Sequence, residues 1–461
     1  DLEGRIRSTS PRFASLTQPR TLTLAEIQKD VLDPKTVLLE YSLGKERSYL
    51  WFVSSDSLSS FELPGRGEVE KSARLVYELL TARSRSYKNA SEKSEALSLA
   101  DTRYREAAAS LSRMVLGPVA DRLKGKRLLI VAEGALQFIP FGALPAPAAG
   151  RPRQYPRKPT DKVRGGRSPR RLSARPLIAD HEIVSLPSAS ALAFLRRETA
   201  GRKPAPNLVA VIADPVFDNS DVRLESVRSS KMSETRGVQS IAVMSVNSAE
   251  NSALRRSADE TGVLSGSPIF NRLPFTRLEA RYILAASPAG ASMRALDFDA
   301  NKKTATSPEL SKYRIVHFAT HALLNNRHPQ LSGLVLSLVN QRGEPQDGFL
   351  RLHEIYNMSL SADMVVLSGC QTALGKDIKG EGIVGLTRGF MYAGATRVMA
   401  SLWKVDDDAT AELMRLYYNR KIKSGLTPAG ALRSAELAMW KRGTWKSPFY
   451  WAGFVIYGEW K

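Results

Sequence analysis

Cysteine is almost absent from the sequence: Cys370 is the only one in 461 residues. A disulfide within one chain is therefore excluded, which is typical of proteins that stay in a reducing compartment. Long hydrophobic runs are also missing, since no uninterrupted apolar stretch reaches the ~18 residues of a membrane span. No charged-then-apolar signal segment opens the chain either. We therefore expect a cytoplasmic protein with no membrane association.

Acidic residues are few beside the basic ones. Lys and Arg number 67 against 46 Asp and Glu, which gives a formal net charge of +21. Hydrophobic residues make up 43% of the chain, enough to build a core, so a wholly disordered protein is excluded. At roughly 100–200 residues per domain, we expect two or three domains.

The positive charge is concentrated between Arg151 and Arg175, where ten Lys or Arg accompany one acid, Asp161. Prolines interrupt this segment, so it favours neither a helix nor a strand. We interpret it as part of a solvated basic loop over residues 148–175. The alternative is a polyanion-binding arm for nucleic acid over 151–175, although its single aromatic residue, Tyr155, makes a poor base-stacking surface.

The pattern along the chain predicts three parts. Residues 1–35 resemble the helical remnant of an upstream repeat region. Residues 36–200 contain two strands, a long helix over 91–123 and a further buried strand, and we interpret them as a scaffold half. One stripe of the predicted helix carries Tyr104, Ala108, Leu111, Val115 and Val119. Residues 205–461 form a second half, in which 219–271 is rich in Ser, Asn and Arg and is interpreted as a mobile insertion.

The second half alternates apolar strands with helices. Strands are predicted at 207–215, 292–300, 313–322, 363–370 and 396–405. Continuous apolar strands of this kind are typical of a largely parallel sheet that is covered by helices on both faces. The sequence therefore predicts an α/β fold, and in such folds sites form at the carboxyl ends of strands.

Two of these strand ends carry residues able to do chemistry. One runs from His317 to His321, and the other ends in Ser368-Gly369-Cys370. A thiol becomes a good nucleophile when a base such as imidazole lies nearby, so His321 and Cys370 could form a dyad. The alternative is that Cys370 is a small buried hydrophobe. His317 and His321 have the spacing of a helical zinc motif but lie on a strand, so we identify no metal site and no cofactor motif.

Several pieces of the second half resemble the CHAT family, caspase-like peptidases commonly found behind tetratricopeptide repeats. They are VHFATHA, LSGLVLS, DGFLRLHEIY, VVLSGCQTALG, GEGIVGLTRGFMYAGATRVMASLWKVDD and PFYWAGFVIYGEW. The resemblance extends from about residue 36 to the end of the chain. It implies a caspase-like fold, with residues 36–200 as an inactive caspase-like half.

The resemblance also implies residue roles. The catalytic histidine of the family corresponds to His321 and its cysteine nucleophile to Cys370. Backbone N–H groups of Cys370 and Ala322 would hold the oxyanion. A substrate strand would pair with residues 400–403, so Ser401 and Trp403 would line the cleft. Among the acids that follow this strand we select Asp406 to face a basic P1 residue; Asp407 and Asp408 remain candidates, as does Glu381 in the loop after Cys370. The alternative for the three aspartates is capping of the next helix, and for Glu381 it is the role of a first-turn acid in its own helix.

These observations predict a cysteine endopeptidase that cleaves a protein substrate, with a role in bacterial defence suggested by analogy. Upstream tetratricopeptide repeats or a regulatory protein are the expected partners. The alternative is a catalytically silent interaction module. The family usually has Gly after its histidine, and Ala322 would be strained there if the backbone needed a positive φ.

Overall fold

The computed structural model describes residues 20–147, 175–224, 252–260, 270–325, 328–371 and 381–461. All of the basic segment except Arg175, and most of the insertion at 219–271, lie outside these ranges. The contacts divide the chain into two compact units. The smaller unit is Leu32–Ile183, and the larger unit is Asp1–Val31 with Val184–Lys461. The sequence had put the boundary near residue 200.

The described chain begins in the larger unit with α1 (Leu24–Glu26), which continues as a π-helical turn over Ile27–Val31. The smaller unit follows, with β1 (Thr36–Ser42), β2 (Arg47–Val53), β3 (Leu58–Pro64), α2 (Arg66–Leu80), α3 (Ala90–Val115) and β4 (Arg127–Val131). The strand order is β3-β2-β1-β4, in which β1 and β4 are parallel and the other pairs antiparallel.

The long helix α3 buries one stripe of side chains: Tyr104, Ala108, Leu111 and Val115. Its periodicity predicted this stripe, because residues three and four apart share one helical face. The helix stops at Val115 and a 3₁₀ turn follows over Gly117–Arg122, whereas the sequence predicted helix as far as Leu123. Pro118 explains the difference, since proline has no N–H to continue the α-helical hydrogen bonds.

Strand β5 (Ile183–Ser185) begins at the last residue of the smaller unit and continues into the larger one. The other strands of the larger unit are β6 (Asn207–Pro215), β7 (Ser292–Asp297), β8 (Tyr313–Leu323), β9 (Gly333–Val335), β10 (Phe349–Arg351), β11 (Met364–Gln371), β12 (Arg397–Ser401) and β13 (Phe454–Gly458). Its helices are α4 (Ala189–Thr199), α5 (Ser252–Glu260), α6 (Pro274–Ala286), α7 (Lys302–Ala305), α8 (Leu352–Tyr356), α9 (Glu381–Tyr392), α10 (Asp407–Tyr418), α11 (Pro428–Arg442) and α12 (Pro448–Trp451).

Strands β7, β6, β8, β11 and β12 are consecutive neighbours and run parallel. Strand β13 joins β12 antiparallel, Ser185 of β5 pairs with β13 in parallel, and the β9–β10 ribbon extends the end of β8. The predicted α/β fold with a largely parallel sheet is therefore confirmed. Among the described residues, no helix combines the length and the apolar composition that crossing a membrane requires.

Helices cover both faces of this sheet, and two successive residues of β8 show how. His317 contacts Glu279 of α6 and Tyr418 of α10. The next residue, Phe318, packs on Phe390 of α9 with ring centroids 5.6 Å apart. Because successive side chains of a strand point to opposite faces, α6 and α10 lie on one face and α9 lies on the other.

Candidate active site

The carboxyl ends of β8 and β11 lie side by side, and a β-bulge shifts their pairing register between Ser368 and Cys370. Ser368 is paired with Ala319, but Cys370 is paired with Ala322, so the register shifts by one residue at Gly369. Neighbouring strands are about 4.8 Å apart. The backbone of Cys370 therefore lies beside the strand end that carries His321. The side chain of Cys370 and all of residues 372–380 are outside the described structure, so the dyad itself stays a prediction.

Gly369 is the residue that makes this bulge possible. Its φ is +96°, and an added Cβ would lie 2.9 Å from the carbonyl oxygen of Thr320. Both the conformation and the contact exclude a side chain. L residues rarely adopt this φ, and the backbone of Thr320 could move away from a Cβ only by disrupting the strand pairing. A glycine before the cysteine is thus a structural requirement of the strand end.

Alanine at Gly369 is expected to lower the free energy of unfolding by about 1–3 kcal/mol, the usual cost of a strained backbone position. Urea unfolding measures this change. The matched control is Gly67→Ala in α2, where an added Cβ meets nothing within 4 Å. That variant is expected to be unchanged or slightly more stable. Equal midpoints for the two variants would contradict the requirement for glycine at position 369.

His321 is enclosed on three sides and is 5% exposed. Its Nε2 donates a hydrogen bond to the carbonyl oxygen of Asn271 at 2.7 Å. Its ring lies between the rings of Phe217 and Phe270, at centroid distances of 5.1 and 5.4 Å. A carbonyl oxygen can only accept, so the ring proton is on Nε2 and the lone pair of the neutral ring is on Nδ1.

Burial lowers the pKa of His321 to about 4; the hydrogen bond to Asn271 partly opposes this shift, and the charge of Lys404 adds to it. The imidazole is therefore neutral at neutral pH and able to accept a proton. Sequence reasoning found His321 but missed Asn271, Phe217 and Phe270. Phe217 precedes the insertion at 219–271 and the other two residues end it, so only the fold brings them to the ring of His321.

Ala322 has register partners on both sides, Cys370 in β11 and Leu334 in β9, and it is fully buried. Among the described residues, the non-glycine positions with positive φ are Asp214 and Asp297. Ala322 therefore carries none of the backbone strain that would argue for a silent module. Its oxyanion role stays a prediction.

Ser401 and Trp403 are both interior residues. Trp403 is 1% exposed, donates its indole N–H to the carbonyl of Phe449 at 3.1 Å and stacks on that ring. Ser401 is fully buried, and its Oγ has no hydrogen-bond partner within the described part of the chain. Within the described structure, their side chains do not line an open cleft, so a substrate contact here would have to use the backbone.

The acids after β12 have different environments. Asp406 is the N-cap of α10, and its Oδ1 accepts a hydrogen bond from the N–H of Ala409 at 3.0 Å, so the capping alternative holds for one of its oxygens. Asp407 is half-buried. Burial raises its pKa to about 6, with further contributions from the charges of Asp406 and Glu279. Asp408 is exposed, and the side chain of Glu381 is outside the described residues.

A buried polar cluster underlies the strand ends, and sequence reasoning did not find its centre, Glu279. Ser368 donates to Oε2 of Glu279 at 3.1 Å, and Nε2 of His317 lies 2.9 Å from Oε1, at ion-pair distance but without hydrogen-bond alignment. Nδ1 of His317 is 2.8 Å from the hydroxyl of Tyr418. His317 therefore packs and bonds within the fold, and the cluster links Glu279 to the segment just before Cys370.

The described residues contain no group of three or more His, Cys, Asp or Glu arranged to hold a metal ion. What the strand ends bring together is a neutral imidazole and the backbone of the one cysteine, at the carboxyl edge of a parallel sheet. This fold belongs to the caspase-like class of α/β proteins.

The chain is a member of the CHAT domain family, whose model matches residues 105–459. Tetratricopeptide repeat protein 28 of Mus musculus is 32% identical over 106 residues, which are 23% of this chain and 4% of that protein. The Homo sapiens protein of the same name is 30% identical over 114 residues, 25% of this chain and 4% of its own length. The chain therefore corresponds to a small part of these relatives.

A similar solved structure is the Saccharomyces cerevisiae separase–securin complex at 3.0 Å resolution. The TM-score is 0.52 at 10% sequence identity, and the match covers 98% of this chain and 31% of that chain. At this identity the likeness concerns the fold alone.

Proposed function

We propose that the chain is a cysteine endopeptidase of caspase-like type, with Cys370 as nucleophile and His321 as base. The observation that carries the proposal is the register between β8 and β11. Cys370 is paired with the residue that follows His321. A neutral imidazole with its lone pair on Nδ1 is the form required to accept a thiol proton.

The reaction follows from these two groups. Nδ1 of His321 accepts the thiol proton, and the thiolate sulfur forms a bond to the scissile carbonyl carbon while the carbonyl oxygen takes the negative charge. Collapse of this intermediate breaks the C–N bond, and the imidazolium gives its proton to the leaving amine. Water then attacks the thioester with His321 accepting its proton, and the C–S bond breaks to release the acid and restore the thiol. Asn271 supports the imidazolium, because its carbonyl accepts from the opposite ring nitrogen.

The acidic start of α10 supports cleavage after a basic residue. Asp406 keeps one carboxylate oxygen beyond its capping bond, and Asp407 next to it has a pKa raised by burial and by neighbouring carboxylates. A Lys or Arg side chain placed there would relieve this repulsion, since an opposite charge favours the ionised carboxylate. We therefore retain Asp406 as the residue that faces a basic P1 side chain, with Asp407 as a second carboxylate beside it.

The names of the relatives support a proposal about the partner of this chain. They are named as tetratricopeptide repeat proteins, and we propose that such repeats, on this chain or on another one, present substrate or signal to the peptidase.

One chemical experiment tests the activity without any mutation. Because Cys370 is the only cysteine, iodoacetamide can modify a thiol at that position alone. A proteome-derived peptide library treated with the unmodified protein is expected to gain new N-termini that follow Lys or Arg. The cleavage rate is expected to fall in proportion to the fraction of Cys370 that is alkylated.

Two results would contradict the proposal. Cleavage that persists after complete alkylation would exclude Cys370 as the nucleophile. Alkylation no faster than that of a free thiol, with no cleavage of the library, would favour the silent interaction module instead.

A further inference from the structure

Asp214 is a buried carboxylate at the end of β6 that attracts three arginines. It is 0% exposed and has a φ of +50°, a conformation that few non-glycine residues adopt. Arg272 donates to both of its carboxylate oxygens, at 2.9 and 2.8 Å, and Arg277 donates to Oδ2 at 2.6 Å. Arg223 donates to its backbone carbonyl at 2.7 Å. A carboxylate this deeply buried is costly to the fold unless donors such as these arginines satisfy its oxygens.

The three arginines do not depend on Asp214 equally. Arg223 also pairs with Asp221 and Asp297, and Arg277 also pairs with Asp297. Among the described residues, Arg272 forms its ion pair with Asp214 alone. A two-bond pair between a guanidinium and a carboxylate fixes direction as well as distance. Asp214 therefore fixes Arg272 more strictly than it fixes the others.

Arg272 follows the two residues that hold His321. Phe270 packs its ring on the imidazole at 5.4 Å, and Asn271 accepts the Nε2 proton at 2.7 Å. Three consecutive residues thus supply a ring contact, a hydrogen-bond acceptor and an anchor. The ion pair with Asp214 attaches this segment to the end of β6, a strand that is itself hydrogen-bonded along β8.

We propose that Asp214 and Arg272 are positioning residues, which hold the carbonyl of Asn271 against His321 and so keep the ring proton on Nε2. The consequence of this positioning for catalysis rests on the proposed peptidase function. The hydrogen bond itself is a property of the fold and can be tested whether or not the chain cleaves peptides.

The test compares the full chain with its Arg272→Gln variant. In the wild type, the Nε2 proton of His321 is expected to be visible by NMR and protected from exchange with water, with the signal assigned by its absence in His321→Gln. In Arg272→Gln this proton is expected to exchange at least about tenfold faster. If the peptidase proposal holds, kcat is expected to fall by up to about 10²-fold with little change in KM, because a displaced catalytic group mainly lowers the chemical rate.

Arg83→Gln is the control, since Arg83 also makes a two-bond pair with a single carboxylate, that of Asp101 in the smaller unit, at 2.8 and 2.7 Å. It is expected to leave the His321 proton protected. Arg272→Lys keeps the positive charge but cannot form the two-bond pair, and an intermediate exchange rate is expected for it. This second variant keeps the test decisive if Arg272→Gln does not fold.

Unchanged protection and unchanged kcat in both Arg272 variants would overturn the inference. Faster exchange in these variants, with protection retained in Arg83→Gln, would support it. If the wild type cleaves no peptide, the proposed function fails, while the exchange rates still decide whether Asp214 and Arg272 position the ring.

Discussion

Alanine in place of Cys370 is expected to abolish peptide-bond cleavage and to leave the protein folded. The thiol would be the group that forms the covalent intermediate, and removing a nucleophile of this kind costs at least about 10⁴-fold in kcat. His321→Ala is expected to have a similar effect, because the two residues act as one unit and their losses do not add. The rate of cleavage of a library-derived peptide, measured for each variant and for the double variant, checks this result.

The matched control is His353→Gln, which changes an exposed histidine on α8. It is expected to cleave at the wild-type rate. Thermal unfolding should show that both active-site variants keep their folded structure. A Cys370→Ala variant that still cleaves at a tenth of the wild-type rate would remove this residue from the mechanism, and additive losses in the double variant would mean that the residues act separately.

Much of the larger unit could be predicted from the chain, because its strands are long and apolar. The continuous apolar runs that form β6, β8 and β11 are typical of strands that are buried between two layers of helices, which is the usual arrangement of a parallel sheet. From the parallel sheet it follows that the ends carrying His321 and Cys370 share one edge. The sequence could not predict which residues of the two strand ends are paired, since the register shift at Gly369 depends on backbone geometry.

The missed parts have a common physical cause. Glu279 looks like a solvated acid on a helix, yet it shares the buried face of α6 with Thr276, Ala280 and Ile283. That pattern was the available signal, but a charge on a buried face becomes meaningful only when its partners are known. His317 and Ser368 are 38 and 89 residues away along the chain. Contacts of such separation are set by the tertiary fold and leave no local pattern.

Glu279→Ala is expected to destabilise the larger unit by about 3–5 kcal/mol, the usual cost of removing one partner from a buried charged or hydrogen-bonded pair. The change would leave His317 and the Ser368 hydroxyl facing a cavity in a region that is at most 2% exposed. Urea unfolding measures the loss. Glu309→Ala is the matched control, because Glu309 pairs with Lys312 at the surface and such pairs contribute less than about 1 kcal/mol. Equal losses in the two variants would show that the buried cluster contributes no more stability than a surface ion pair.

Glu279→Gln separates the charge of this residue from its shape. Glutamine can still accept the hydrogen bond from Ser368, so the destabilisation is expected to be smaller than with alanine. The negative charge is gone, however, and it is one of the causes that raise the pKa of Asp407 to about 6. The pKa of Asp407 is therefore expected to fall towards the ordinary range of an aspartate, which carboxyl-carbon NMR can follow. A raised folded-state pKa makes the protein less stable as pH rises from about 4 to 6, so this loss should be smaller in Glu279→Gln. If the pKa of Asp407 does not move, burial and the charge of Asp406 perturb it, and Glu279 acts on the strand end through Ser368 without acting on the acids at the start of α10.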